Sequence, residues 1–407
     1  MGKGVIAKKS ICSLVLLIVI CITQIGCWSL NELTNLSIVL ATGVDRTTDG
    51  KLLLTIQIAR PSAFAGGSEK TSGFQENNMW VISGSGDTIL DARRQLEQKV
   101  SRRIYWGHNV ILVAGEELAR EDIKLAIDFF TRSPISRENM WVLVARGKAS
   151  EVLNSHSQLE NSSAQATSQM IRTGVGVQVN LMDLGRMLAS RSNPVLPVIE
   201  LTPSGTPQGP GLRENLPGIE PGEQKLPPAH GEITLTGSAV FNKNKQVGWL
   251  DMKETRGLLW IMNKVQKGVV TIPSATEPGK NISIRLTGSK TAIEPHYNGK
   301  DIWFDIDVQA EGDIFEQQST EDLSNPEVIQ TIDSIMAEEI KGNIENALAK
   351  AQEEHRIDIF EFGESFRRKY KGQWALLQEQ WDEEFSNAAV NVNVRANIRR
   401  SGLTTKI

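Results

Sequence analysis

Cys27 is the one side chain whose surroundings prescribe a reaction. It follows Gln24-Ile25-Gly26 and closes a segment that opens with Lys3, Lys8 and Lys9 and continues through an apolar run from Ile11 to Ile22. A positive start, an uninterrupted apolar stretch well under about 20 residues and a small residue before cysteine describe an export signal, not a membrane span. The ending matches the lipobox of bacterial lipoproteins. There the thiolate accepts a diacylglyceryl group as a thioether before cleavage makes the cysteine the new N-terminus. Two or three acyl chains such as palmitate, at ~0.8 kcal/mol per buried methylene, then hold a protein durably on a bilayer. Cys12 and Cys21 leave with the signal, so Cys27 is the only cysteine of the mature chain and no internal disulfide is available.

Elsewhere the reactive residue types are present without the spacing that chemistry needs. The five histidines are scattered, and the chain has no His-Glu-x-x-His, Cys-x-x-Cys, phosphate-binding loop or Gly-x-Ser-x-Gly. Glu353-Glu354-His355 has the wrong spacing for a zinc helix and reads as a solvated helix face. Gly174-x-Gly176 lacks the third glycine of a dinucleotide fingerprint. Asp45-x-Thr47-x-Asp49-Gly50 opens like a calcium loop, but position twelve is Ile56, so a plain hairpin is expected. His108, after Tyr105-Trp106-Gly107, invites attention, and core packing or hydrogen bonding is its expected role. No catalytic residue, cofactor or metal site is therefore expected. The nine tryptophans read as core anchors.

These residues sit on a chain of 407 residues, 40% hydrophobic and 23% charged, which excludes disorder and a multi-span membrane protein. The formal charge of −4 falls to −7 once the three signal lysines leave. A nucleic-acid partner is not expected without a basic face, and the lipid should hold the folded part on the membrane without help from a basic patch. Thr202 to Glu232 carries seven prolines and six glycines, too many breakers for a helix or central strand. The division read from this is an export signal at 1–26, an N-terminal α/β region at 27–201, a Pro/Gly-rich linker at 202–232 and a C-terminal domain at 233–407. A further cut near residue 150 would make two subdomains of the first region.

In the first region, strands are expected at Ser37–Val44, Lys51–Ala59, Asn109–Ala114, Trp141–Ala145 and Val195–Leu201. Helices are expected at Asp87–Arg102, capped by an aspartate, at Glu116–Thr131, and over most of 148–190. Beyond the linker, strands at Ile233–Phe241, Gln246–Leu250, Val269–Ile272, Ile282–Ile293 and Ile302–Ala310 surround a short helix from Asp251. A long helix from Asn325 to Arg356, a second around Trp374–Phe385 and an alternating strand from Val390 to Ile398 follow. The fold class is α+β, multidomain, with mixed sheets and packed helices.

Cys27-Trp28-Ser-Leu-Asn31-Glu32-Leu33, then Ser37-Ile38-Val39 and Gly43-Val44-Asp45, resemble the opening of the Ger(x)C spore germination lipoproteins. Further similarity follows in order: Tyr105-Trp-Gly-His108, Glu116-Glu-Leu-Ala-Arg120, and Asp128-Phe-Phe-Thr-Arg132 with Arg137. In the second half come Gly237-Ser-Ala-Val-Phe241, Val247-Gly-Trp-Leu250, Glu254-Thr-Arg-Gly257, Asp358-Ile-Phe-Glu-Phe-Gly363, Trp374 and the terminal Val-Asn-Val-Asn-Val strand. The resemblance implies an elongated, non-catalytic C subunit of a nutrient germinant receptor. It would be held by its lipid at the outer face of the spore inner membrane, beside integral membrane A and B subunits. For Trp28, Asp45, His108, Arg132, Glu254, Arg256 and Asp358, caps, turns and buried ion pairs are the expected roles. The alternative is a solute-binding lipoprotein of an importer, which would need two lobes around a ligand cleft.

Overall fold

The computed structural model describes residues 35–60, 79–155, 160, 162–190, 192–203, 231–265 and 267–402. Cys27, Trp28, the signal and most of the Pro/Gly-rich stretch lie outside them. Strands β1 (Leu36–Arg46) and β2 (Leu52–Ala59) pair antiparallel. Their connection is the expected hairpin, with Gly50 N–H donating to the Thr47 carbonyl at 3.0 Å. β3 (Met79–Gly86) extends this sheet beside β2 and was not evident from sequence. Its Ser-Gly-Ser-Gly end reads as a loop, yet a Cβ at Gly84 would come within 2.7 Å of the Ala92 carbonyl on helix α1 (Ile89–Glu97). The glycines let helix and strand touch. The cap of α1 is Thr88, which accepts from Asp91 N–H at 3.2 Å, rather than Asp87. Asp87 instead donates its own N–H to the Asp91 carboxylate at 3.3 Å.

β4 (Arg103–Tyr105) and β5 (Ile111–Gly115) both run parallel to β1. The single helix expected at Glu116–Thr131 is two helices, α2 (Glu116–Asp122) and α3 (Lys124–Arg132). They part at Ile123, whose N–H leaves the helical ladder and donates to the Asn244 carbonyl at 2.9 Å. β6 (Trp141–Ala145) follows, and 148–190 resolves into α4 (Ala149–Asn154), α5 (Ser163–Arg172) and α6 (Leu181–Ala189). β7 (Val195–Pro203) pairs parallel with β6 and antiparallel with β8 (Gly231–Asn242), which pairs in turn with β9 (Lys245–Leu250). The order is β3-β2-β1-β5-β6-β7-β8-β9, with β4 against β1. One sheet thus runs across the proline-rich stretch.

This sheet is buried on both faces, which explains the unbroken apolar runs of its central strands. Leu112 and Ala114 of β5 face the core under α1, α2, α3 and α6, while Ile111 and Val113 face a second core under α4 and α5. The remaining elements build a four-stranded sheet in the order β10 (Val269–Pro273), β11 (Asn281–Tyr297), β12 (Ile302–Gln317), β13 (Ala389–Arg400). Its inner residues, Phe304, Ile306 and Val308 among them, share a core with Ile332, Met336, Ile340 and Ile344 of α8 (Pro326–Ala349). Its outer face is polar, where Asn391 and Asn393 donate to Asp305 and Asp307 at 2.8 and 2.7 Å.

Two helices join the sheets. α7 (Met252–Ile261) begins with a capping box in which Asp251 and Glu254 each accept the other's N–H at 2.7 Å. Thr255 donates to Ser238 at 3.1 Å, and Gly257 lies directly on α8, where a Cβ would run into the Asn343 carbonyl. α8 stops short of the expected Arg356. Lys350–His355 widens into a π-helical turn, and Arg356 is left-handed with φ 55°. Three short helices then pack over the second sheet: α9 (Phe362–Lys369), α10 (Lys371–Leu377) and α11 (Trp381–Asn387). No helix among the described residues is long and apolar enough to cross a membrane.

Candidate functional site

The residues singled out in the sequence divide between positioning roles and one junction. Asp45 is buried at the end of β1, and its two oxygens accept N–H groups of Ala149 and Ser150 at 2.7 and 2.9 Å, capping α4. A Cβ on Gly115 would collide with this carboxylate. Turned inward this way, Asp45 is no calcium ligand. Arg132 pairs with Asp128 at 2.9 Å on exposed helix surface, and Glu254 closes its capping box. Arg256 lies over the Trp260 ring at 5.7 Å and donates to the Lys267 carbonyl at 3.3 Å, with burial pulling its guanidinium below the usual arginine range. The expected core or hydrogen-bonding role of His108 does not hold. Its ring is exposed and meets Tyr105 edge-on at 6.1 Å, while the neighbouring Trp106 takes the buried position and donates to Thr42 at 3.2 Å.

Asp358 organises the junction. It sits in the turn between Arg356 and α9, with Oδ1 accepting N–H groups of Phe360 and Phe362 at 3.0 and 3.2 Å. Oδ2 accepts Gly363 N–H and Trp381 Nε1–H at 2.7 and 2.9 Å. Among the described residues, no cation pairs with it. Three backbone N–H groups at the start of α9 and the Trp381 indole from α11 supply the stabilisation a counter-charge would otherwise give. Burial pushes the carboxyl above the ordinary aspartate value, and the four donors pull against that. Its lone pairs are committed, so it cannot serve as a general base. Gly363 completes the packing, because a Cβ there would lie 2.8 Å from Trp381 Nε1 and 3.0 Å from Trp374. The rings of Phe304, Phe362, Phe366 and Trp381 close around this turn.

Asn193, which the sequence reading overlooked, ties this turn to the first sheet. Its Nδ2 donates to the Asp358 carbonyl and to Asp382 at 3.2 and 3.3 Å, while its Oδ1 accepts Lys243 N–H at 3.2 Å. A lone Asn before Pro194 looks like any loop residue, and partners 165 and 189 positions away leave no local trace. Around it lies a cavity of about 470 Å³, lined by both modules and by Trp374, Trp381, Lys243 and Glu361. Lys243 and Glu361 are left-handed, with φ 57° and 62°, a conformation that costs an L-residue ~1–2 kcal/mol unless its surroundings hold it. Among the described residues, no three His, Cys, Asp or Glu side chains are grouped to hold a metal ion. The arrangement offers shape, aromatic surface and mixed charge, which suit binding.

The modules meet a second time at β9. The His355 ring rests on Gly248, where any Cβ would overlap it, and its buried Nε2 has no protein partner. Burial and the nearby Lys350 lower its basicity, against the raising effects of Glu354 and Glu254. Such a histidine binds a proton less readily folded than unfolded. The structure should therefore lose stability as pH falls below the ordinary imidazole range, the loss ending once the depressed folded value is passed. Melting curves over a pH series check this: the native chain should soften on acidification more than His355→Gln. Equal slopes would remove His355 as the cause.

The fold and this junction define a multidomain α+β protein whose two modules are joined by part-buried polar contacts and close packing. Both parts match models of one family. Residues 29–201 match the spore germination protein N-terminal domain, and residues 236–402 match the domain described as spore germination B3/GerAC like, C-terminal. The chain belongs to this GerAC-like, or Ger(x)C, family of spore germination proteins. It is 28% identical to spore germination protein KC of Bacillus subtilis over 96% of this chain and 95% of that one. It is 24% identical to spore germination protein B3 of the same organism, over 94% and 95%. The crystal structure of the GerBC protein superposes with a TM-score of 0.57 at 18% identity, covering 91% of this chain and all of that one.

Proposed function

We propose that this chain is the C subunit of a nutrient germinant receptor, anchored by a lipid on Cys27 at the outer face of the spore inner membrane. It acts there by docking to integral membrane A and B subunits, without catalysis. The observation that carries the reading is membership in the germination family across both modules. The lipobox at Cys27 supplies the tether, and tethering raises the effective concentration of partners in the membrane plane. The committed lone pairs of Asp358 fit a docking role. The unit proposed is the one read from sequence, a region at 27–201 and a domain at 233–407.

Deleting the gene in the native spore former and restoring either the native chain or Cys27→Ala tests this. We expect deletion to abolish germination with one nutrient class while spores remain intact, and Cys27→Ala to fail to restore it. Normal germination after the paralogues are also deleted would overturn the receptor reading in favour of solute capture. Full rescue by Cys27→Ala would overturn the anchor alone.

A further inference from the structure

The second sheet has two edges, β10 and β13, and they are built differently. β10 is 5 residues long and closes on Pro273, a short, blunt edge. β13 runs for 12 residues without a proline or a glycine. Among the described residues, the backbone of 389–397 is bonded only in the ladder to β12, so every second N–H and C=O points outward without a protein partner. Past that stretch, Asp333 of α8 accepts Ile398 N–H at 2.6 Å and closes the edge. No inward-pointing charge guards the open part, where Val390, Val392, Val394 and Ala396 face the core.

That core is incomplete along the same edge. Phe304, Ile306 and Val308 are 0%, 0% and 1% exposed, yet Val390, Val392 and Val394, directly opposite them on β13, are only half-buried. A further strand would cover them. On the wet face, Asn391 and Asn393 give Nδ2 to Asp305 and Asp307. Among the described residues, nothing donates to their Oδ1 atoms.

Val390-Asn391-Val392-Asn393-Val394 reads the same in both directions. Two such strands laid antiparallel about a two-fold axis at Val392 set Val390 against Val394, Asn391 against Asn393, and Val392 against itself. Valines then meet on the inner face. On the outer face meet amides, each with a donor and an acceptor to offer. Arg395, 3.8 Å from Asp307, falls opposite Ala389, and Arg399 passes beyond the start of the other strand. No like charges face each other in this register.

We propose that two copies of this chain pair through β13, antiparallel about Val392, joining their second sheets into one of eight strands through an isologous interface. The pairing requires neither the lipid nor a receptor.

The full-length mature chain carrying Cys27→Ser, which has no other thiol, tests it in solution. Sedimentation equilibrium should give a dimer whose dissociation constant rises roughly tenfold or more in Asn391→Lys/Asn393→Lys, because lysine then faces lysine across the axis. Within one copy the same lysines stand beside Asp305 and Asp307, so the fold, read by circular dichroism, should be kept. Asn391→Cys and Asn393→Cys, made in separate chains, report the register. Mixed under oxidation they should form a disulfide, while each alone, with its thiols on the diagonal, should stay largely unlinked. A monomer at every concentration overturns the proposal. So does a dimer indifferent to the two lysines, and so does either cysteine chain linking with itself as fast as with the other. Should the lysine variant lose its fold, the mixed disulfide decides: its formation supports the pairing, and its absence ends it.

Discussion

Asp358→Ala is expected to unfold the second module or destabilise it by at least about 3 kcal/mol, since losing one partner of a buried hydrogen bond costs ~1–3 kcal/mol and four donors are stranded at once. Those donors are the N–H groups of Phe360, Phe362 and Gly363 and the Trp381 indole, all dependent on a single carboxylate. The indole would lose the contact that draws α11 onto α9. Asn193 would lose its hold as well, because the carbonyl it bonds belongs to the same turn. Asp358→Asn should recover part of the loss by keeping one oxygen, while its amide nitrogen would face two donors. Chemical denaturation of the three proteins checks the order: native most stable, asparagine intermediate, alanine least. If alanine matched the native chain, the turn would be held by its aromatic shell alone.

The second large effect lies between α7 and α8. Replacing glycine with alanine inside a helix ordinarily gains ~0.5–1 kcal/mol. At Gly257 the new methyl would run into the Asn343 backbone carbonyl, which cannot swing aside as a side-chain tip can. Separating the helices should cost ~1–3 kcal/mol, so overpacking outweighs propensity and Gly257→Ala should destabilise. Gly342 sits on α8 with nothing within 4 Å of where its Cβ would be, so Gly342→Ala should stabilise by the propensity term alone. Thermal melts of the two variants should shift in opposite directions. A shift of the same sign in both would show that helix propensity, not the crossing, governs this pair.

Much of the fold is legible in the residues because burial leaves a pattern. Central strands such as β5 and β6 are apolar at every position since both faces are covered, and β13 alternates since one face is wet. What escapes reading is set by distant partners. β3 looks like a loop because its glycines serve a helix, and Ile123 breaks a good helical run to meet a hairpin tip. Cys27 carries an expectation from sequence alone because the chemistry proposed for it depends only on its neighbours. Asp358 could be noticed but not understood without Trp381, and Asn193 could not be noticed at all. The Glu254-Thr-Arg-Gly257 run gains its meaning only in three dimensions, as cap, buried hydroxyl, cation over an indole, and helix crossing.

That β7 is paired on one side by a strand lying beyond the proline-rich stretch has a consequence for biosynthesis. A nascent chain halted after residue 203 holds every residue of the first helices yet lacks β8 and β9, leaving β7 with an open edge. The first sheet cannot close until the ribosome has released residues 231–250, nearly 50 residues after β7 itself has emerged. Protection of β7 amides should accordingly appear late in synthesis, together with those of β8. Separately expressed halves should each be prone to aggregate at that edge and recover solubility when mixed.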